Sequence, residues 1–336
     1  MQATRPESHR AITNWLFVCA AVVFAIVVIG GITRLTRSGL SIVEWKPVSG
    51  VVPPMGETEW LAEFEKYKAT PEYRLVNHSM TLPEFKNIFW WEFIHRIFAR
   101  LVGVLFFLPF IWFLVRRRID RTLALRLGVI FALGGLQGFL GWYMVKSGLV
   151  NDPHVSHLRL TSHLMTAVLI YALMMMTAWS LEKRPGLPGS RRLAWANVIL
   201  VFVMMASGAL VAGLKAGKMY NTFPLMNGQY FPQGALGFSP VLSNFSDNPI
   251  MIQFIHRNFA YALGIFFFWQ LWRERKNISL GHPLALIVMA YMLQFVLGVF
   301  TLLKAVPVSL GALHQANALV LFTATLFLLA RRPHAT

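Results

Sequence analysis

Eight apolar stretches of roughly 20 residues recur along this chain, near 13–33, 92–115, 124–145, 158–180, 192–214, 251–272, 282–304 and 309–330. At 1.5 Å rise per residue, each is long enough to cross the roughly 30 Å hydrocarbon core of a bilayer as a helix. Only 13% of residues are charged while 56% are hydrophobic, about half the charge of a soluble domain. A soluble globular enzyme, a disordered chain and a disulfide-stapled domain are thereby excluded. The expected fold is all-α and polytopic, with eight transmembrane helices. Arg5 and Arg10 precede the first run, with no small-residue cleavage site before residue 30, so that run is expected to be a retained span.

Charge orients the spans. Both termini and the joints after even-numbered spans are short and basic, carrying Arg116, Arg117, Arg118 and Arg121, then Lys183, Arg184, Arg191 and Arg192, then Arg273, Arg275 and Lys276, and finally Arg331 and Arg332. With Arg5, Arg10 and, at the start of the third span, Arg126, that side holds 16 Lys and Arg against 4 Asp and Glu; the other holds 15 against 10. The positive-inside rule then places both termini in the cytoplasm, in a bacterial inner membrane. The net charge of +17 would suggest nucleic acid in a soluble protein, but here the cations flank spans and face the lipid bilayer. Two long connections, 34–91 and 215–250, lie on the opposite side, and loops of that length are usually functional.

The chain also repeats itself. EFIHRIFARLVGVLFF at 92–107 matches QFIHRNFAYALGIFFF at 253–268, and LQGFLG at 136–141 matches LQFVLG at 293–298. His163 with Ala167 matches His314 with Ala318. In the long connections, Gly30, Gly39, Gly50 and Pro54 match Gly208, Gly217, Gly228 and Pro232 at a constant offset of 178. Four anchors in one order predict two tandem pseudo-symmetric four-helix bundles, 1–180 and 181–336, related by an axis along the membrane normal.

Histidine within a span is rare and usually functional. His95, His163, His256 and His314 each fall near the outer end of an even-numbered span, so the repeat makes two equivalent pairs. One imidazole from each of two helices, at one depth, is what a flat macrocycle needs for axial ligation of its iron. Zinc fits less well, because each pair lacks a third Cys, Asp or Glu ligand at suitable spacing, and the one cysteine, Cys19, lies inside an apolar run. His154 and His157 precede the fourth span, where they either touch a metal or propionate or are simply solvated.

Glu92 lies three residues before His95, on the same helix face. Its counterpart is Gln253, so this position is titratable in one half only. Either it has a chemical role or it is an interfacial carboxylate paired with Arg96 or Lys86. Arg96, Arg100, Arg257, Arg34, Arg37, Lys215 and Lys218 gather toward the outer side, placed either for propionates or for ordinary snorkelling. No Walker A loop, dinucleotide GxGxxG, paired Asp-rich motif or CxxCH occurs.

Several longer strings resemble one family. GGITRLTRSGLSIVEWKPVSGVVPP at 30–54, WWEFIHR at 90–96, GWYMVKSGL at 141–149, IHRN at 255–258 and GALHQAN at 311–317 are similar to heme A synthases, over essentially the whole of 13–330. The resemblance implies eight helices in a tandem repeat and oxidation of the C8 methyl of heme O to the formyl of heme A by successive hydroxylation, for terminal oxidases. It implies that His256 and His314 hold a resident heme b, that His95 and His163 face the substrate heme O, and that Glu92 is the acidic residue of the EFIHR motif. Heme O synthase and an electron donor are the protein partners it suggests. Some members carry a cysteine pair in the first outer loop; this chain resembles the cysteine-free branch of α-proteobacteria and mitochondria.

Two other classes remain open on the residues alone: a diheme b-type electron carrier, and a heme transporter or chaperone. Four histidines suit a carrier equally well. However, all four lie toward one face, whereas a transmembrane wire needs hemes near both, and a pure carrier has no use for the Glu92/Gln253 asymmetry.

Overall fold

The computed structural model describes residues 6–46, 49–149, 153–182 and 185–331. Arg5, Lys183, Arg184 and Arg332, among the cations used to orient the chain, lie outside the described residues. Within them are ten α-helices and no strand: α1 Pro6–Leu35, α2 Glu57–Lys68, α3 Pro71–Leu75, α4 Leu82–Val115, α5 Arg121–Gly148, α6 His157–Ser180, α7 Arg191–Gly213, α8 Pro249–Glu274, α9 Ile278–Leu303 and α10 Val308–Ala330. All but α2 and α3 are long and apolar enough to cross a membrane, so this is an integral membrane protein of eight spans. Many of their apolar side chains are exposed, among them Val104, Leu108, Val115, Leu125, Ile265 and Phe268. In a bilayer such faces meet lipid, while mid-span backbone groups are bonded within their helices except where a proline intervenes.

The chain divides into two compact units, Met1–Ala178 and Trp179–Thr336. In the second, the helices close a ring: α7 packs on α8, α8 on α9, α9 on α10, and α10 back on α7. In the first, close packing among the described spans is confined to α1 with α4 and, more lightly, α4 with α5. There α6 approaches α1 through side chains such as Tyr171, whose ring centroid is 6.5 Å from that of Phe24.

The α1–α4 contact has a specific origin. Pro109 interrupts α4, and its missing N–H leaves the carbonyl of Leu105 without a helical partner. Trp15 of α1 donates its indole N–H to that oxygen at 2.7 Å, and Cys19 Sγ lies 3.8 Å away. The backbone gap that proline opens is thus filled by the neighbouring helix, as an apolar setting requires.

The connection expected as a loop over 34–91 is partly helical. Trp60, Phe64 and Tyr67 lie at i, i+4 and i+7 on α2, forming one stripe. They pack with Phe85 and Phe89, on an extension of α4 that begins ten residues before the expected span. A search for 20-residue apolar runs passes over α2, because Glu57, Glu59, Glu63, Glu65, Lys66 and Lys68 decorate its other faces. Thr81 starts α4 with a capping box: Glu84 reaches back to accept from the Thr81 backbone N–H at 2.8 Å. Tyr67 ties α2 to α3, its hydroxyl accepting from Asn77 at 2.7 Å and lying 3.3 Å from Glu72. Burial, followed by the Glu72 charge, pushes that phenol up.

Candidate active site

His95 and His163 fall on α4 and α6 of the first unit, His256 and His314 on α8 and α10 of the second. Within each pair the imidazoles are close enough to interact electrostatically. One construction holds all four. A Cβ placed on Gly30 of α1 would come within 2.9 Å of His95 Cε1, and one on Gly141 of α5 within 3.0 Å of His163 Cε1. In the second unit, a Cβ on Gly208 of α7 would stand 3.2 Å from His256 Cε1, and one on Gly298 of α9 only 2.9 Å from His314 Cε1. Each ring therefore rests against the backbone of the preceding span, closed to a Cβ at Gly30 and Gly298 and tight for one at Gly141 and Gly208. Gly30 and Gly208 belong to one set of repeat anchors, Gly141 and Gly298 to another. The sequence marked them as repeats; their purpose as seats for imidazoles required the fold.

Ring nitrogen Nδ1 of His95, His163 and His314 is buried without a hydrogen-bond partner. Each of these three rings instead interacts with the backbone four residues before its glycine seat, at Ile26, Gln137 and Gln294 respectively, which leaves Nε2 as the nitrogen that could meet an iron. Among the described residues no three His, Cys, Asp or Glu side chains converge as a metal cluster. Paired imidazoles on facing helices fit a macrocyclic iron, which brings its own four equatorial donors, better than tetrahedral zinc.

The pairs differ in their surroundings. In the second unit, Ser207 Oγ lies 2.8 Å from His256 Nδ1, and Gln294 Nε2 lies 3.3 Å from His314 Nε2. Asn317 orients that glutamine by donating to its Oε1 at 2.9 Å. In the first unit, Gln137 matches Gln294 in the repeat but donates at 2.9 Å to the backbone carbonyl of His163 rather than to its ring. Ile29 stands 178 residues before Ser207.

Glu92 is 2% exposed. Its Oε1 accepts from Arg96 Nε at 3.0 Å and Nη2 at 2.6 Å, and its Oε2 accepts from Ser41 Oγ and the Ile42 N–H, both at 2.8 Å. Arg96, not Lys86, is the partner; Lys86 instead sits 5.1 Å over the Trp60 ring. Arg96 also donates to the carbonyls of Ile42 at 2.8 Å and Glu44 at 3.0 Å. The pair thus clamps the 41–44 segment onto α4, one turn from His95. The second unit repeats the clamp: Arg257 donates to Tyr220 O at 2.7 Å and Thr222 O at 2.8 Å. Those carbonyls lie 178 residues beyond Ile42 and Glu44. Arg37 and Lys215, also 178 apart, both turn the chain through left-handed backbone, at φ 55° and 54°. Gln253 donates to Tyr220 O at 3.1 Å, but its Oε1 has no partner where Glu92 has two.

The other candidates are dispersed. Arg96 and Arg257 serve loop carbonyls, and Arg100 donates to Lys46 O at 2.7 Å. Arg34 is half-buried near the end of α1 and Arg37 is exposed. His154 is exposed before α6, and His157 is the first residue of that helix. Ser41, Ser207 and Gln294 escaped the sequence reading. A hydroxyl or amide inside an apolar run carries no distinctive spacing, although the LQ shared at 136–137 and 293–294 pointed to the glutamines.

Eight spans carrying two repeat-equivalent pairs of buried histidines, each ring seated on a glycine, define a polytopic membrane protein whose imidazole pairs could hold a flat iron macrocycle. Residues 13–326 match the model of the cytochrome oxidase assembly protein family, COX15-CtaA, and the chain belongs to that family. It is 49% identical over 331 residues to the heme A synthase of Nitrosospira multiformis, covering 95% of this chain and 92% of that one. It is 47% identical over 333 residues to the heme A synthase of Nitrosomonas eutropha (96% and 93% covered). With that of Parvibaculum lavamentivorans it shares 46% over 318 residues (94% and 92% covered).

Proposed function

We propose that this chain is a heme A synthase, an oxidoreductase that converts the C8 methyl group of heme O to the formyl group of heme A for assembly of heme–copper terminal oxidases. The observation that carries this reading is the pair of imidazole pairs, each ring seated on a glycine, in a chain whose near full-length relatives bear that name. His95 and His163 receive the substrate heme O. His256 and His314 hold a resident heme b, which supplies an electron-transfer centre when bound.

The division of labour follows from the surroundings of each pair. The second unit closes its helices in a ring and gives each imidazole a polar neighbour, as suits a permanent cofactor. In the first unit no side chain hydrogen-bonds either imidazole: Gln137, the counterpart of Gln294, turns to the His163 carbonyl, and Ile29 stands where the second unit has Ser207, as suits a ligand that enters and leaves. His95 and His163 orient the substrate from its two faces. The Glu92–Arg96 clamp orders the 41–44 segment beside it, keeping negative charge within a turn of His95. There Glu92 stabilises developing positive charge or takes up a proton as the clamp opens.

Both termini are assigned to the cytoplasm and the protein to a bacterial inner membrane, with heme O synthase and an electron donor as partners. Extracting the hemes of the purified protein tests the function: heme O or heme A beside heme B supports it, and heme B alone favours the carrier. Replacing His256 or His314 with Ala is expected to remove most of the heme B. Replacing His95 or His163 is expected to abolish product and leave that heme in place. The reverse pattern inverts the assignment.

A further inference from the structure

Ser207 is the side chain that separates His256 from the other three histidines. Its hydroxyl has one proton, and it is donated to the carbonyl of Met204 at 2.8 Å, an atom that can only accept. Toward His256 Nδ1, at 2.8 Å, the same oxygen is therefore left as acceptor. The imidazole must then carry its proton on Nδ1 and expose the lone pair of Nε2. Gly208, the next residue, lies close against the ring, where an added Cβ would stand 3.2 Å from Cε1. Together Ser207 and Gly208 fix the tautomer and the plane of one ring from a single turn of α7. The rings of His95, His163 and His314 meet only the backbone, at Ile26, Gln137 and Gln294, with no hydroxyl at Nδ1, and the position 178 residues earlier, beside Gly30, is Ile29.

We propose that Ser207 is a positioning residue for the resident heme. By accepting the Nδ1 proton it makes His256 a better electron donor through Nε2 and lowers the reduction potential of the iron it binds. This rests on the reading of His256 as an axial ligand. A hydrogen bond from the far nitrogen of a metal-bound imidazole raises its basicity and stabilises the more oxidised metal.

The test is a redox titration, with low-temperature EPR of the ferric state, on detergent-purified protein carrying its own heme. S207A is expected to shift the midpoint potential of the retained heme upward and to change its low-spin g values. S207T, which keeps the hydroxyl, is expected to return both toward wild type. If S207A costs the heme altogether, retention in S207T supports the inference and equal loss from both overturns it. An S207A protein with unchanged potential and unchanged g values overturns it, as does an S207T shift as large as that of S207A. If instead His256→Ala keeps its low-spin heme, the ligand assignment itself falls, a result distinct from any behaviour of Ser207.

Discussion

Glu92 shows how little a side chain's identity says about its task until its partners are known. From the sequence it was an acid beside a histidine with a neutral counterpart at Gln253. In the fold it accepts four hydrogen bonds, two from Arg96 and two from the 41–42 segment. The Arg96 partner was readable, being four residues along the helix. Ser41 and Ile42, some fifty residues away, were not. Replacing Glu92 with Gln keeps the shape but leaves the half-buried guanidinium without its counter-charge, and losing one side of such a pair is costly. Heme A formation is expected to fall about 10–100-fold, with the heme B content of the purified protein unchanged. Activity near wild type would make Glu92 dispensable, and loss of all heme would make it a folding residue. In the second unit, Gln253→Glu would place a carboxylate beside Arg257, whose Nε is buried without a partner. It is expected to be tolerated, with heme B content near wild type.

At the scale of the helix, two contacts allow contrasting experiments. On α9, Gly298 abuts the His314 ring, whereas a Cβ on Gly281 meets nothing within 4 Å. G298A must displace either the imidazole or the backbone, and is expected to lower bound heme by about tenfold. G281A, on the same helix, is expected to retain it. Equal heme content in the two variants would show that the seats are incidental. The second contact is the aromatic stripe of α2. Truncating Tyr67 to Ala removes a fully buried ring, worth about 3–5 kcal/mol in a well-packed site. A twelve-residue helix has little else to hold it. Limited proteolysis is expected to cut Y67A within 57–75 while the spans stay protected; a wild-type pattern would show that α2 is held by other means. These elements also mark the reach of sequence reading. Long apolar runs are spaced by the bilayer and announce themselves. Residues 57–68 are polar by composition, and their aromatic face means something only beside Phe85 and Phe89.

For the whole molecule, orientation remains the boldest deduction, since it rests on 16 cations against 4 on one side and 15 against 10 on the other. Reporter fusions after residue 118 are expected to read cytoplasmic, and fusions near residue 60 to read external; the opposite result would put the histidine-bearing ends of the spans on the cytoplasmic side. The repeat was legible because matched motifs kept their order. What each half does with its copy was not, because packing around α6 and polar contacts to imidazoles arise between segments far apart in the chain.

The glycine seats have one further consequence, for biogenesis. In all four cases the glycine comes before its histidine along the chain: Gly30 before His95, Gly141 before His163, Gly208 before His256 and Gly298 before His314. A chain emerging from the ribosome folds from its N-terminal end. Each imidazole is therefore synthesised after the glycine surface that seats it. All four partners in the first unit, Gly30, His95, Gly141 and His163, are in place before the first residue of the second unit is made.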